Sequence, residues 1–337
     1  MSKTTTRPGI LLAHTPEMRA NYYGARALAE LQALGEVVLH EGADPLDSAG
    51  VVERARGCRI VIADRNTPIP GEVLARLDGV IAVSRVAVDI RNIDVDAASR
   101  AGILVTQASR TWIPSVAEMV IGLMIDVARD ISRSDRAYKR GEGVPAVRRG
   151  RQLAGATCGI IGCGPLGRRV AELALAIGMR VLVTDPYVKI EVAAINQVPL
   201  DELLAQSDFV LPLAVATPET ENLIDARALS RMKSSAYLVN LSRGNLVDDA
   251  ALIAALDAGR IAGAALDVGR AADQMPAIAL ARRADVVATP HIAGLTEPAI
   301  EGQALETVAQ AAEILAGRVP AGAVNAAHAT RIAALRS

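Results

Sequence analysis

The chain has 337 residues, 51% hydrophobic but only 2% aromatic. One Trp, five Tyr and one Phe leave few stacking platforms for single-stranded nucleic acid. Lys+Arg (36) and Asp+Glu (37) nearly cancel, and a net charge of −1 gives no basic excess to track phosphates. No nucleic-acid partner is therefore expected.

The length exceeds the usual size of one hydrophobic core, so two domains are expected. Apolar stretches are interrupted well before about 18 residues, which predicts no membrane span. The apolar run near the N-terminus is too short for a signal peptide. The three cysteines, Cys58, Cys158 and Cys163, form no CxxC pair. Neither a disulfide framework nor a metal site is expected, and a cytoplasmic setting fits.

Residues 9–13 (GILLA) read as a short buried strand, ending at His14, a candidate to face a ligand cleft. A helix near residues 20–34, closed by Gly35, leads to a strand at 37–40. Residues 59–63 (RIVIA) and 79–83 (GVIAV) predict further strands. Strands separated by helices imply βαβ units and a parallel sheet. Residues 115–131 read as one long helix. Residues 133–151, with seven Arg/Lys against two acids, read as a solvated connection, or alternatively as a basic rim near an anionic ligand. Residues 157–186 predict a strand, a glycine-rich turn, an amphipathic helix and a second strand. Strands recur near 209–213, 236–240, 262–267 and 286–288. A final helix, 298–315, precedes a weakly structured tail.

The turn GCGPLG (residues 162–167) matches GxGxxG, a weak signal alone but a specific one after a strand and before a helix. Gly162 permits the tight turn. Gly164 lets the backbone approach a pyrophosphate at the positive helix N-terminus, and Gly167 allows close packing. Pro165 and Leu166 complete the turn. Asp185 ends the next strand, 18 residues beyond Gly167, where a carboxylate accepts ribose hydroxyl protons. It would repel a 2′-phosphate, which favours NAD over NADP.

These motifs occur in order with NIDVDAASRAGILVT (92–106), SVAEMVIGLMIDVAR (115–129), TPET (217–220), MKSSAYLVNLSRGNLVDDAAL (232–252), GAALDV (263–268) and TPHIAGLT (289–296). Over nearly its whole length the chain resembles the NAD-dependent D-isomer-specific 2-hydroxyacid dehydrogenases. The resemblance implies an α/β fold with two doubly wound parallel-sheet domains. Residues 1–106 plus 294–337 would form a flavodoxin-like substrate domain, and 107–293 a Rossmann NAD-binding domain. It also implies an active site in the cleft between the domains, and a homodimer.

By the same resemblance, Arg243 pairs with the substrate carboxylate and steadies the charge developing on the keto oxygen. His291 donates the proton to that oxygen in reduction and takes it back in oxidation. Asp267 holds the nicotinamide amide, or alternatively satisfies backbone donors. Thr217 and the Leu241 backbone touch the cofactor. The expected activity is hydride transfer between NAD(H) and a small 2-hydroxy or 2-keto acid.

Three departures stand out. The family's glutamate, five residues after the aspartate, is Ala272 here, with Asp273 adjacent as a substitute. Without a neighbouring carboxylate the imidazolium loses a partner, so an acid-shifted optimum is expected. The family's Gly-x-Gly carboxylate loop is Ala87, Val88 and Asp89. Asp89 either meets a hydroxyl or amine of a larger substrate, or pairs with Arg85 or Arg91. In the segment LPLAVATPET, Leu213 and Val215 replace the usual His and Pro. These changes leave a catalytically weak NAD(H)-sensing protein as the alternative. Gly269 stands where an aromatic is usual, so an aliphatic or polar substrate pocket is expected, with Trp112 and Tyr138 the few rings in reach.

Overall fold

The computed structural model describes residues 7–333 except 142, 145, 148, 272 and 273. The family-glutamate question at Ala272 and Asp273 therefore lies outside the described residues. The chain divides into two compact units. Unit 1 runs through Trp112 and resumes at Thr296; unit 2 is Ile113–Leu295.

Unit 1 holds five parallel strands: β1 (Gly9–Leu12), β2 (Glu36–Leu39), β3 (Cys58–Ala63), β4 (Ala82–Arg85) and β5 (Leu104–Gln107). Their order is β2-β1-β3-β4-β5. β3 (CRIVIA) is apolar without alternation because both faces are covered. One face packs Val61, Val83 and Val105 against Val51, Leu74 and Ala98. The other packs Ile10, Ile60 and Leu104 against Leu31, Ala304 and Ala311.

The helix expected near 20–34 is two helices. Pro16–Tyr22 starts where the Thr15 hydroxyl accepts the Met18 N–H, with proline in the first turn. Gly24, at φ 86°, breaks the chain before Ala25–Leu34. The tail is also better anchored than expected. Buried Asn325 accepts the Val105 N–H at 2.8 Å and donates to the Ile103 carbonyl at 2.9 Å. Arg331 donates to the Leu77 and Val80 carbonyls at 2.6 and 2.8 Å.

Unit 2 holds seven parallel strands: β6 (Thr157–Ile161), β7 (Arg180–Thr184), β8 (Ile195–Gln197), β9 (Phe209–Pro212), β10 (Tyr237–Asn240), β11 (Gly263–Leu266) and β12 (Val286–Ala288). The order is β12-β11-β10-β9-β6-β7-β8. The short edge strand β8 has only three residues and no distinct pattern.

The long helix Ile113–Arg129 buries Val116, Val120, Met124 and Val127. It stops short of the expected Ile131. Asp130 turns left-handed at φ 55°, and the Asp126 carboxylate takes both the backbone N–H and the hydroxyl of Ser132. A second helix, Ile131–Lys139, fills the first part of the stretch read as a connection. Among the described residues, no helix is long and apolar enough to cross a membrane.

His14 follows β1 and is 1% exposed. Burial pushes its imidazole down to about 4; Asp64 pulls it up, and Arg85 and Arg19 push it down. The folded pKa lies below the unfolded value of about 6.5, so the unfolded state takes up the proton first as pH falls. The stability held at neutral pH is then lost between about 6.5 and about 4, in total about 3 kcal/mol. Urea unfolding at pH 7 and pH 4.5 should show a smaller loss in His14→Gln than in the native chain; equal losses would contradict this assignment.

Candidate active site

In a parallel sheet every strand delivers its following residue to one edge, and ligands bind there at the switch in strand order. In unit 2 the switch falls between β6 and β9. The glycine turn follows β6. Gly162 has φ 94°, and a Cβ there would lie 2.6 Å from Ala214 Cα, just beyond β9. A Cβ on Gly167 would lie 2.3 Å from the Gly162 carbonyl oxygen. Protein packing thus demands these two glycines.

Gly164 differs. Its φ is −67°, and a Cβ there would meet nothing within 4 Å. Neither conformation nor crowding by the protein requires glycine here, and the position leaves open space beside the backbone. Gly164 caps the helix Pro165–Ala176, whose first N–H groups point to the same space. Pro165 sits in the first turn and Leu166 is buried beneath it. This cradle fits a pyrophosphate.

Asp185 follows β7, half-buried. One carboxylate oxygen accepts the Cys163 N–H at 2.7 Å; the other accepts those of Tyr187 and Val188 at 2.8 and 2.9 Å. Partial burial pushes its pKa up, but these bonds and nearby Arg168 outweigh it and hold it below the ordinary carboxylate range. A fixed negative charge therefore flanks the glycine turn. Thr217 is exposed after β9, and its N–H donates to the Thr220 hydroxyl at 2.8 Å. Leu241 is buried directly after β10.

Arg243 stands beyond the end of β10, exposed, with one guanidinium N–H on the Ser242 carbonyl at 2.8 Å. Buried Asn240 shapes this turn. Its amide donates to the Arg243 carbonyl at 2.9 Å, and its oxygen accepts the Ser242 N–H at 3.1 Å. Sequence reasoning passed over Asn240, although it stands inside the quoted NLSRG segment.

His291 lies after β12 with φ 55°. Asp267, after β11, is fully buried. Its carboxylate accepts the Thr289 hydroxyl at 2.6 Å and the Ile292 and Ala293 N–H groups at 2.9 and 3.0 Å. The glycine turn, Asp185, Thr217, Leu241, Arg243, Asp267 and His291 thus all follow strand ends at one edge of the unit 2 sheet.

Ala87, Val88 and Asp89 follow β4 in unit 1. The Asp89 carboxylate pairs with the Arg91 guanidinium through bonds of 2.6 to 3.0 Å. Among the described residues no group of three His, Cys, Asp or Glu is placed to hold a metal.

Two doubly wound parallel sheets, one carrying this glycine turn and acidic residue, define an α/β dinucleotide-binding protein. The sequence model described as D-isomer specific 2-hydroxyacid dehydrogenase, NAD binding domain, matches residues 121–293, and the chain belongs to this family. NAD is accordingly the cofactor of unit 2.

Similar curated proteins include the D-3-phosphoglycerate dehydrogenase of Methanocaldococcus jannaschii, 33% identical over 305 residues. That alignment covers 89% of this chain and 57% of the relative, so the chain spans little more than half its length. Among solved structures, a protein from Thermus thermophilus is 31% identical, with a TM-score of 0.83, over 94% of this chain and 99% of that one. The NAD-complexed D-isomer specific 2-hydroxyacid dehydrogenase of Lactobacillus delbrueckii ssp. bulgaricus is 26% identical, with a TM-score of 0.80, over 94% and 100%.

Removing the charge at Asp185 should weaken NADH and relieve the repulsion of a 2′-phosphate. In Asp185→Ser the ratio of NADPH to NADH dissociation constants, read by nucleotide fluorescence, should fall at least about tenfold. An unchanged ratio would remove Asp185 from cofactor selection.

Proposed function

We propose that the chain is an NAD-dependent 2-hydroxyacid dehydrogenase that also works in reverse as a 2-keto-acid reductase. The observation carrying this reading is the delivery of Arg243 and His291 to the same sheet edge as the glycine turn. NAD(H), when bound, supplies or accepts the hydride. Arg243 presents a planar donor fork that pairs with a carboxylate and stabilises the negative charge building on the keto oxygen. His291 gives that oxygen its proton in reduction and recovers it in oxidation.

In this reading residues 1–106 and 294–337 form the substrate domain and residues 107–293 the cofactor domain. The Ala87–Val88–Asp89 loop is the carboxylate-binding candidate of unit 1. Its backbone donors carry the role, because Asp89 is engaged with Arg91. A homodimer in the cytoplasm completes the reading. Ile131 and Tyr138 of the basic helix are large exposed apolar side chains that a partner subunit would cover.

One sequence observation favours a second reading. Ala272 in place of the family glutamate suits a protein that binds NAD(H) tightly and turns over weakly. Absorbance of NADH with glyoxylate, pyruvate, hydroxypyruvate and branched 2-keto acids separates the two. The dehydrogenase reading expects turnover on at least one acid. His291→Ala and Arg243→Ala should each lower kcat/KM by about 10²-fold or more, with NADH affinity kept within a few fold. Tight NADH binding without turnover on any acid would favour the sensor.

A further inference from the structure

Unit 1 has its own switch in strand order, between β1 and β3. Register places Leu12 beside Ile62, and Ile62 beside Ser84. The buried ionisable residues nearest this switch are His14 after β1, Asp64 after β3, and Arg85 at the end of β4, with His40 further out after β2. His14, Asp64 and Arg85 are 1%, 2% and 6% exposed. His14 feels the charges of both Asp64 and Arg85.

Each of the three has a side-chain atom shut off from water with no hydrogen-bond partner: His14 Nδ1, Asp64 Oδ2 and Arg85 Nε. The rest of Asp64 is fully used. Its Oδ1 accepts the Asn66 N–H at 2.8 Å, and the Thr67 N–H and hydroxyl at 2.9 Å each. Asn92 ties the same loop down through the Asp64 and Thr67 carbonyls, at 3.0 and 2.7 Å. A buried charged group left unmatched is costly, and buried polar atoms are nearly always paired. These three atoms gather beside the β1/β3 switch, with a fourth, His40 Nδ1, following β2, at the kind of strand edge where parallel sheets bind ligands.

We propose that the β1/β3 edge of unit 1 is a recognition subsite for an uncharged substrate end group that both donates and accepts hydrogen bonds. The inference rests on the dehydrogenase reading, in which unit 1 supplies the substrate domain. Asp64 Oδ2 needs a donor and the Arg85 Nε–H needs an acceptor. A hydroxyl provides both from one oxygen. A carboxamide provides both through its NH2 and its carbonyl, and its second N–H suits a neutral His14 Nδ1. A phosphate or carboxylate end group instead brings negative charge to Asp64 and has no proton to offer it. An apolar end leaves all three atoms unpaired, which sites built for hydrogen bonding reject strongly.

The test is NADH oxidation with matched 2-keto acids. Hydroxypyruvate is compared with 2-oxobutyrate and with phosphohydroxypyruvate, and 2-oxoglutaramate with 2-oxoglutarate. The two pairings distinguish a hydroxyl from an amide as the end group. At least one uncharged polar acid should exceed its comparators in kcat/KM by about tenfold or more.

Asp64→Asn is the informative variant. Asn retains an oxygen for the Asn66 and Thr67 donors but turns the unpaired acceptor into a donor. The preference should shrink to within about threefold, and the anionic comparators should gain relative to the polar acids. Arg85→Met, which removes the donor instead, should also erase the preference and serves if Asp64→Asn fails to fold. Turnover with no end-group preference would overturn the proposal, as would a preference unchanged in both variants. Absence of turnover on every acid would overturn the dehydrogenase reading itself, and is distinguishable from either.

Discussion

The buried carboxylate of Asp267 holds residues 289–293 against the end of β11, and His291 sits inside that segment. His291 is left-handed, a conformation that costs a non-glycine residue of order 1–3 kcal/mol. Each hydrogen bond to a charged acceptor contributes about 1.5–3 kcal/mol, and Asp267 receives three. The grip exceeds the strain, so the backbone stays where the carboxylate fixes it. The placement of His291 is thus set by a residue at the end of the neighbouring strand.

The same edge depends on close backbone approaches. A Cβ on Gly244 would stand 2.1 Å from the Gly269 carbonyl carbon, and one on Gly269 would stand 2.0 Å from the Met275 carbonyl oxygen. The turn carrying Arg243 can meet the loop after β11 only because both positions lack side chains. Gly269 is therefore held to glycine by packing. Asn240 adds the clamp that fixes the Arg243 turn from beneath.

The glycine turn was legible in the sequence because its demands are local: Gly162 needs its positive φ, and the spacing to Asp185 follows from one strand, one helix and the next strand. The parallel sheets were legible because apolar runs such as CRIVIA and TCGII are buried on both faces. The stop at Arg129 was not, because no Gly or Pro marks it; it arises from the Asp126 carboxylate reaching Ser132. The division at Gly24 was hidden inside a continuous helical pattern. The cluster of His14, Asp64 and Arg85 joins three strands and has no signature in the chain, although His14 alone stood out at the end of the first strand. Asn240 was overlooked because its neighbour Arg243 carries the recognisable chemistry, while its own role lies in two bonds to the turn.

The dependence of the His291 segment on Asp267 can be measured directly. In Asp267→Ala, hydrogen exchange should show lost protection confined to residues 289–293, with the strands of unit 2 still protected. If His291 carries the role proposed for it, kcat for keto-acid reduction should fall by about 10²-fold, as expected for a displacement of about an ångström. An unchanged kcat, or unchanged protection of Ile292 and Ala293, would contradict the account.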